Sequence, residues 1–161
     1  MSKFVLTSTD FSEGGTIANA QVYTDCQGQN VSPALKWSGA PEGTKSFALL
    51  VHDPDAPTGS GWWHWVAYNI PAATTSLAAG AGDVKKNLMP AGATQGRNDY
   101  GTTGYGGPCP PPGKPHHYNF RLYALKVAKL ELPQGASAAA ISFNVRTQAL
   151  ATAELTGLYG R

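Results

Sequence analysis

The sequence predicts a mostly β fold, an antiparallel sandwich of two β-sheets with one helix near the C-terminus. Short apolar runs alternate with turn-forming residues along most of the chain, which has 19 glycines and 12 prolines among 161 residues. Charged residues make up only 14%, against roughly 25% in an average soluble domain, which argues against a helical bundle or coiled coil. The length favours one domain over residues 1–161.

The first half of the chain contains five strand candidates. Three of them are short and lie between glycine, asparagine, serine and proline residues: Phe4–Leu6, Gln21–Thr24 and Leu35–Trp37. The run Ser46–His52 is apolar at successive positions, so we expect it to be buried on both faces in the centre of a sheet. Trp63–Ile70 follows after a glycine-rich loop.

The second half is predicted to contain a long loop, a long strand and a helix. Residues 72–115 are rich in glycine and proline and indicate mostly loop, and long irregular stretches are often functional. His116–Val127 is the longest strand candidate. Ser137 is expected to be the N-cap of a helix that continues to Leu150. The alternation over Ala151–Tyr159 fits either a strand or a frayed helix.

Charge and hydropathy exclude several kinds of partner. The net charge is only +2 and the basic residues are spread along the chain, which is not the pattern of a nucleic-acid-binding protein. The uncharged stretch 56–82 is broken by prolines and glycines, so no membrane insertion is expected. The first residues have no apolar signal core, which favours a cytoplasmic protein.

The two cysteines, Cys26 and Cys109, have no metal-ligand spacing. We expect them to be free thiols in a reducing compartment. No metal and no cofactor is predicted from the sequence.

A first group of candidate site residues follows the buried strand, in the sequence His-Asp-Pro-Asp-Ala-Pro over residues 52–57. The prolines keep the backbone extended, so Asp53 and Asp55 are expected to project to the same side. Two neighbouring carboxylates repel each other unless a proton or a cation shares their charge, which suggests a binding site. The alternative is a turn in which the two side chains cap backbone groups. Ala56–Pro57 is the candidate for a cis bond.

A second group opens the next strand with three tryptophans and a histidine over residues 62–65. By the two-residue period of a strand, His64 is expected to share a face with Val66 and Tyr68. The tryptophans would supply pocket walls. The alternative is that His64 is an ordinary core histidine with its hydrogen bonds satisfied.

A third group precedes and opens the long strand. Three prolines over residues 110–112 form a stiff wall, and His116 and Tyr118 then fall on one face of the strand while His117 falls on the other. The alternative is a strand with one polar residue at its start.

Together the three motifs, DPDAP, a histidine in an aromatic-rich strand, and PPPGKPHHY, resemble the phosphatidylethanolamine-binding proteins, also called Raf kinase inhibitor-like proteins. The flanking sequences NVSPALKW, PEGTKS, NDYG and GYGGP extend the resemblance over nearly the whole chain, and the short Thr58–Gly61 link is similar to the bacterial branch. The resemblance implies the two-sheet β-sandwich of that family. It also implies a small anion pocket lined by five residues: Asp53, Asp55, His64, His116 and Tyr118.

The resemblance further implies walls from Pro57, Trp63 and Pro111 and a phosphate-bearing small molecule or head group as the ligand. The chain departs from the family pattern at Pro112, where lysine is often found, and at Pro115–His117, where arginine is common at the last position. The implied protein binds a small anion without catalysis and regulates a partner, and it forms a homodimer in bacterial relatives.

Two other functions stay open at this point. The protein could inhibit a kinase or a protease by binding a phosphorylated segment of that partner in the pocket. The aspartates and histidines could instead serve a hydrolase or a metal-dependent enzyme. In the binding interpretation the aspartates raise the histidine pKa values, so affinity for phosphate would rise as the pH falls.

Overall fold

The computed structural model describes residues 3–161 and confirms the predicted class, with two antiparallel sheets and one helix toward the C-terminus. The bounds of the elements differ from the predicted ones by one to three residues in most cases. In chain order they are β1 (Val5–Thr7), β2 (Leu35–Ser38), β3 (Ser46–Asp53), β4 (Trp62–Pro71), β5 (Ser76–Leu77), β6 (Thr94–Gln95), β7 (His116–Leu125), α1 (Ala138–Thr147) and β8 (Ala149–Tyr159).

The strands form one small and one large sheet. The small sheet has the order β1-β2-β5, and the large sheet has the order β6-β4-β3-β7-β8. The pairs of named strands in both sheets are antiparallel. Because β3 runs opposite to β4 and β7, the end of β3 lies beside the beginnings of both neighbours. That edge of the large sheet carries the polar residues described below.

The large sheet is buried on both faces, which explains the unbroken apolar run in β3. Phe47, Leu49 and Val51 belong to the core between the two sheets, together with apolar residues of β1, β2 and β5. Ala48 and Leu50 belong to a second core, on the opposite face, where the large sheet packs against α1.

The helix α1 begins where the sequence predicts and ends earlier. The Ser137 hydroxyl accepts a hydrogen bond from the Ala140 N–H at 3.1 Å, as expected of an N-cap. The helix stops at Thr147, and Leu150 lies in β8. Of the two alternatives for the last segment, the strand is right, because β8 pairs with β7 along nearly its whole length.

The predicted strand Gln21–Thr24 is wrong. Two 3-10 turns occupy this region, Asn19–Gln21 and Thr24–Cys26. Each is closed by a local backbone hydrogen bond, from Val22 N–H to the Asn19 carbonyl and from Gln27 N–H to the Thr24 carbonyl. These local bonds, together with one from the Tyr23 N–H to the Pro108 carbonyl, pair backbone groups here without a neighbouring strand.

The segment 72–115 is mostly loop, as predicted, with only the two-residue strands β5 and β6. Among residues 3–161, no helix is long and apolar enough to cross a bilayer.

Candidate functional site

A pocket with a volume of about 400 Å³ lies at the edge of the large sheet where β3 ends and β4 and β7 begin. Asp53 is the last residue of β3, Trp62 is the first of β4 and His116 is the first of β7. Loops from three parts of the chain complete the walls. The remaining lining residues are Tyr23, Asp25, Ala56, Pro57, Thr58, His64, Tyr100, Cys109, Pro110, Pro111 and Tyr118.

Asp53 and His116 form a hydrogen-bonded pair in the pocket wall. His116 Nδ1 lies 2.7 Å from Asp53 Oδ2, and the other carboxylate oxygen accepts the Asp55 N–H at 2.8 Å. Since a carboxylate accepts from the imidazole N–H, the pair fixes the orientation of His116 and leaves its Nε2 for other partners.

A β-bulge brings His64 into the pocket. In the pairing of β3 with β4, Val51 lies opposite Trp65 and His52 lies opposite Trp63, so His64 is an extra residue. The centroid of its ring lies 5.1 Å from that of the Tyr118 ring, whereas Val66 and Tyr68 pack on the helix side of the sheet. The prediction that these three residues share a face is therefore wrong, because the bulge interrupts the two-residue period.

His64 is neutral at ordinary pH and accepts hydrogen bonds at its free nitrogen. Burial lowers its pKa from 6.5 to about 4, although the Gly106 carbonyl and Asp53 favour the charged form. Nδ1 lies 2.7 Å from the Gly106 carbonyl oxygen and must donate to it. Asp53 favours the charged form as expected, but the cost of burying the charge is larger, so the net shift of the His64 pKa is downward and not upward as predicted.

Two buried donors in the pocket wall have no acceptor within the described protein. They are the indole N–H of Trp62 and the hydroxyl of Tyr118. Burial, with a smaller contribution from Asp53, raises the pKa of Tyr118, so its hydroxyl keeps the proton. An unpaired buried donor typically costs about 1–3 kcal/mol, and such a cost is common where a ligand supplies the partner.

Asp55 and His117 lie outside this pocket and form a second pair on the neighbouring groove. Asp55 Oδ2 accepts from His117 Nδ1 and from the His117 backbone N–H, both at 2.7 Å. Partial burial opposes the charged form of Asp55, but these bonds outweigh it and lower its pKa. Asp53 and Asp55 therefore do not project together as predicted, since each binds a different histidine.

The structure divides the predicted residues clearly. Four of the five predicted ligand-binding residues line the pocket, namely Asp53, His64, His116 and Tyr118, and Asp55 does not. Of the predicted walls, Pro57 and Pro111 are present. Trp63 does not line the pocket, because its ring packs on that of His52 with centroids 4.3 Å apart. Trp62 lines the pocket instead.

Loops bring three aromatic and acidic residues to the pocket that the sequence patterns did not predict: Tyr23, Asp25 and Tyr100. The rings of Tyr23 and Tyr100 stack with centroids 3.8 Å apart. Tyr100 lies in the NDYG stretch, where the Asn98 side chain accepts its backbone N–H and donates to the Gly104 carbonyl. The NDYG stretch is the sequence feature that could have indicated Tyr100, although it does not show which of its residues faces the pocket.

The pocket holds carboxylates but no fixed cation. Asp25 and Asp53 line it, and no lysine or arginine does so within residues 3–161. Nor does this part of the chain contain a group of three or more histidine, cysteine, aspartate or glutamate side chains placed to hold a metal ion. Its polar chemistry is therefore that of hydrogen-bond donors and acceptors.

Two further predictions are wrong. Cys26 and Cys109 are joined in a disulfide, with Cα atoms 5.5 Å apart, and are not free thiols. The 3-10 turn that ends at Cys26 brings the two residues together, although 83 positions separate them in the chain. The Ala56–Pro57 bond is trans, since the described residues contain no cis peptide bond.

Comparison with known proteins places this site in a family. A family profile described as phosphatidylethanolamine-binding protein matches residues 7–160. The chain belongs to the phosphatidylethanolamine-binding protein family. It is 49% identical over 159 residues to YbcL of Escherichia coli, covering 97% of this chain and 87% of that protein. It is also 44% identical to YbhB of the same organism, covering 96% and 98%.

Solved structures agree with this assignment to the phosphatidylethanolamine-binding protein family. The crystal structure of Escherichia coli YbcL, described as a member of the mammalian family, matches with a TM-score of 0.96 at 48% identity over 99% of both chains. A Chlamydia trachomatis homologue of the phosphatidylethanolamine-binding proteins matches with a TM-score of 0.83 at 35% identity over 100% and 99%.

The departures from the usual phosphatidylethanolamine-binding protein pattern fall outside the pocket. Pro112, Pro115 and His117 line the neighbouring groove together with Lys114, and none of them lines the pocket itself. They therefore alter the charge and shape of the rim and leave the Asp53–His116 pair in place.

Proposed function

We propose that this member of the phosphatidylethanolamine-binding protein family binds a small phosphate-bearing molecule or head group in the pocket and does not transform it. The observation that carries the proposal is the pair of unpartnered buried donors, on Trp62 and Tyr118, in one pocket with the Asp53–His116 pair. Phosphate oxygens accept hydrogen bonds from such donors. A volume of about 400 Å³ suits a small ligand.

The absence of a lysine or arginine from the described pocket wall favours a singly charged phosphate. A doubly charged phosphate would face Asp25 and Asp53 with no fixed cation to offset the repulsion. A monoanionic phosphate carries an O–H that can donate to the neutral His64 or to Asp53. An ammonium group on the ligand would be stabilised by either carboxylate, so O-phosphoethanolamine is a suitable probe.

The neighbouring histidines offer a matched test. We expect His116→Ala to weaken binding of O-phosphoethanolamine about tenfold or more, because one charge-assisted hydrogen bond contributes about 1.5–3 kcal/mol. His117→Ala removes a histidine that is also paired with an aspartate but lies outside the pocket, so we expect a change below about twofold. Calorimetric titration of both variants and the parent protein measures this. Equal effects of the two substitutions would contradict the proposed site.

The pH dependence of binding tests the ionic state of the ligand. A phosphate monoester gains its proton near pH 6, while His64, with a pKa of about 4, stays neutral between about pH 5 and pH 8. We expect phosphate affinity to rise as the pH falls across this range. Sulfate keeps its charge there, so its affinity should change much less. Parallel curves for phosphate and sulfate would assign the effect to the protein and contradict this proposal.

A second candidate function is hydrolysis. The Asp53–His116 pair favours it, because a carboxylate that orients an imidazole is a typical arrangement for a general base. We favour binding because the only cysteine sulfur and the only aliphatic hydroxyl among the described lining residues are engaged. Cys109 is in the disulfide, and the Thr58 hydroxyl donates to the Gly61 carbonyl. Turnover of p-nitrophenyl phosphate that is lost in a His116→Ala variant would favour this second candidate.

The cellular setting is also part of the proposal. Disulfides persist mainly in oxidising compartments, so the Cys26–Cys109 bond argues against the predicted cytoplasmic location, and we propose an oxidising compartment instead. Regulation of a kinase or a protease through the pocket, and a homodimer, stay predictions. Retention of a partner by the parent protein and its loss in His116→Ala would support the first, and sedimentation analysis measures the second.

A further inference from the structure

The disulfide joins two segments that both contribute residues to the pocket wall. Cys26 ends the 3-10 turn Thr24–Cys26, next to the lining residues Tyr23 and Asp25. Cys109 itself lines the pocket and precedes the wall residues Pro110 and Pro111. The bond therefore closes the wall covalently at the pocket, and not at a distant point of the fold.

The same two stretches of chain also contact each other directly through several groups, among them the Tyr105 hydroxyl, which donates to the Gln21 carbonyl at 2.8 Å. The Tyr23 N–H donates to the Pro108 carbonyl at 2.9 Å, and the Gly107 N–H donates to the Asn30 side chain at 2.8 Å. A Cβ at position 107 would lie 1.9 Å from the Gln21 carbonyl oxygen, so the backbones touch.

The segment around Cys26 also has backbone hydrogen bonds within itself. Its backbone bonds include Gly28 N–H to the Tyr23 carbonyl and Asn30 N–H to the Val22 carbonyl. It contributes to neither sheet. Side-chain stacking of Tyr23 on Tyr100 adds a contact that depends on the same alignment of the two walls.

We propose that the Cys26–Cys109 disulfide is a redox switch of the pocket: its oxidised form aligns the two walls for ligand binding, and its reduction lowers ligand affinity. The proposal rests on the proposed function for the ligand-affinity part only. Both cysteines are partly exposed, so a small dithiol can reach the bond.

The reductant required is a dithiol, and the exchange is balanced. One thiolate of the dithiol attacks a sulfur of the disulfide and forms a mixed disulfide, and the other protein sulfur leaves as a thiolate and takes a proton. The second thiolate of the dithiol then displaces the remaining protein sulfur, which also takes a proton. Two electrons pass from the dithiol to the protein, and the reagent becomes a cyclic or protein disulfide.

The test compares the oxidised protein, the protein reduced with dithiothreitol, and the double variant Cys26→Ser/Cys109→Ser. Hydrogen exchange of the Tyr23 and Gly107 amides reports on the wall without any ligand, and amides of β3 and β7 serve as internal controls. Titration with O-phosphoethanolamine reports on affinity. We expect faster exchange at the two wall amides, unchanged control amides and about tenfold weaker binding, as when about one molecule in ten keeps the aligned wall. Reoxidation of the reduced protein should restore both readings.

The outcomes separate the switch from the proposed function. Unchanged exchange, or faster exchange with unchanged affinity, would overturn the switch. Loss of protection in β3 and β7 as well would make the disulfide a general staple of the fold and would also overturn it. An oxidised protein that binds no phosphate compound would contradict the proposed function. The comparison of Tyr23 and Gly107 amide exchange between the oxidised and the reduced protein would then still show whether the disulfide aligns the two wall segments.

Discussion

Among single residues, Tyr118 shows most clearly a polar group that a bound ligand would satisfy and the free protein does not. It is buried, it carries its proton, and it has no acceptor among the described residues. Tyr105 provides a contrast, because its buried hydroxyl donates to the Gln21 carbonyl at 2.8 Å. The two tyrosines therefore make different contributions to stability.

Substitution of each tyrosine by phenylalanine separates these contributions. Tyr118→Phe removes an unsatisfied group, so we expect the free energy of unfolding to stay the same or rise by about 1 kcal/mol. Tyr105→Phe removes a satisfied hydrogen bond and should lower it by about 1 kcal/mol. Urea unfolding of the two variants measures this. Phosphate binding should weaken only in Tyr118→Phe, and the reverse pattern would count against our assignment of its hydroxyl.

Among the elements, β4 shows why a regular two-residue pattern predicted the wrong face for His64. A strand without the bulge would direct His64 to the helix side with Val66 and Tyr68. The extra residue re-aims it toward Tyr118 in the pocket. A bulge is a property of two paired strands, so one strand's sequence cannot reveal it.

The helix α1 packs on the face of the large sheet opposite the pocket, so its stability and ligand binding should be separable. We expect Ser137→Ala to lower the free energy of unfolding by about 1 kcal/mol, because the N-cap hydrogen bond to Ala140 is lost. Ser137→Asp should retain most of it. Chemical denaturation measures the change, while titration with O-phosphoethanolamine should give the parent affinity. A weakened affinity in Ser137→Ala would show that the two faces are coupled.

At the scale of the whole molecule, the buried neutral His64 links folding to pH. Its pKa is about 4 when folded and 6.5 in an exposed reference state, so the unfolded chain binds a proton more readily. The contribution of neutral His64 to the stability of the fold is therefore fully present above about pH 6.5 and is lost as the pH falls toward 4. The loss in the free energy of unfolding reaches about 3 kcal/mol once His64 is protonated in both the folded and the unfolded state.

A variant isolates this contribution from the other titrating groups. His64→Asn keeps an N–H donor for the Gly106 carbonyl but cannot take up a proton. We expect its free energy of unfolding to fall less than that of the parent protein between about pH 7 and pH 4.5. Urea titrations at several pH values provide the measurement. Curves of equal slope would mean that His64 is not the buried neutral group described.

The sequence by itself determined the fold class, most strands, the helix cap and the loop character of residues 72–115, because periodicity, turn residues and capping act over a few positions. It also identified Asp53, His64, His116 and Tyr118 as candidates through motifs at strand ends. Only the tertiary structure decided that Asp55 binds His117 outside the pocket, that Trp62 replaces Trp63, and that loops contribute Tyr23 and Tyr100. It also decided that Cys26 and Cys109 are bonded. These outcomes depend on contacts between residues far apart in the chain, which no local pattern encodes.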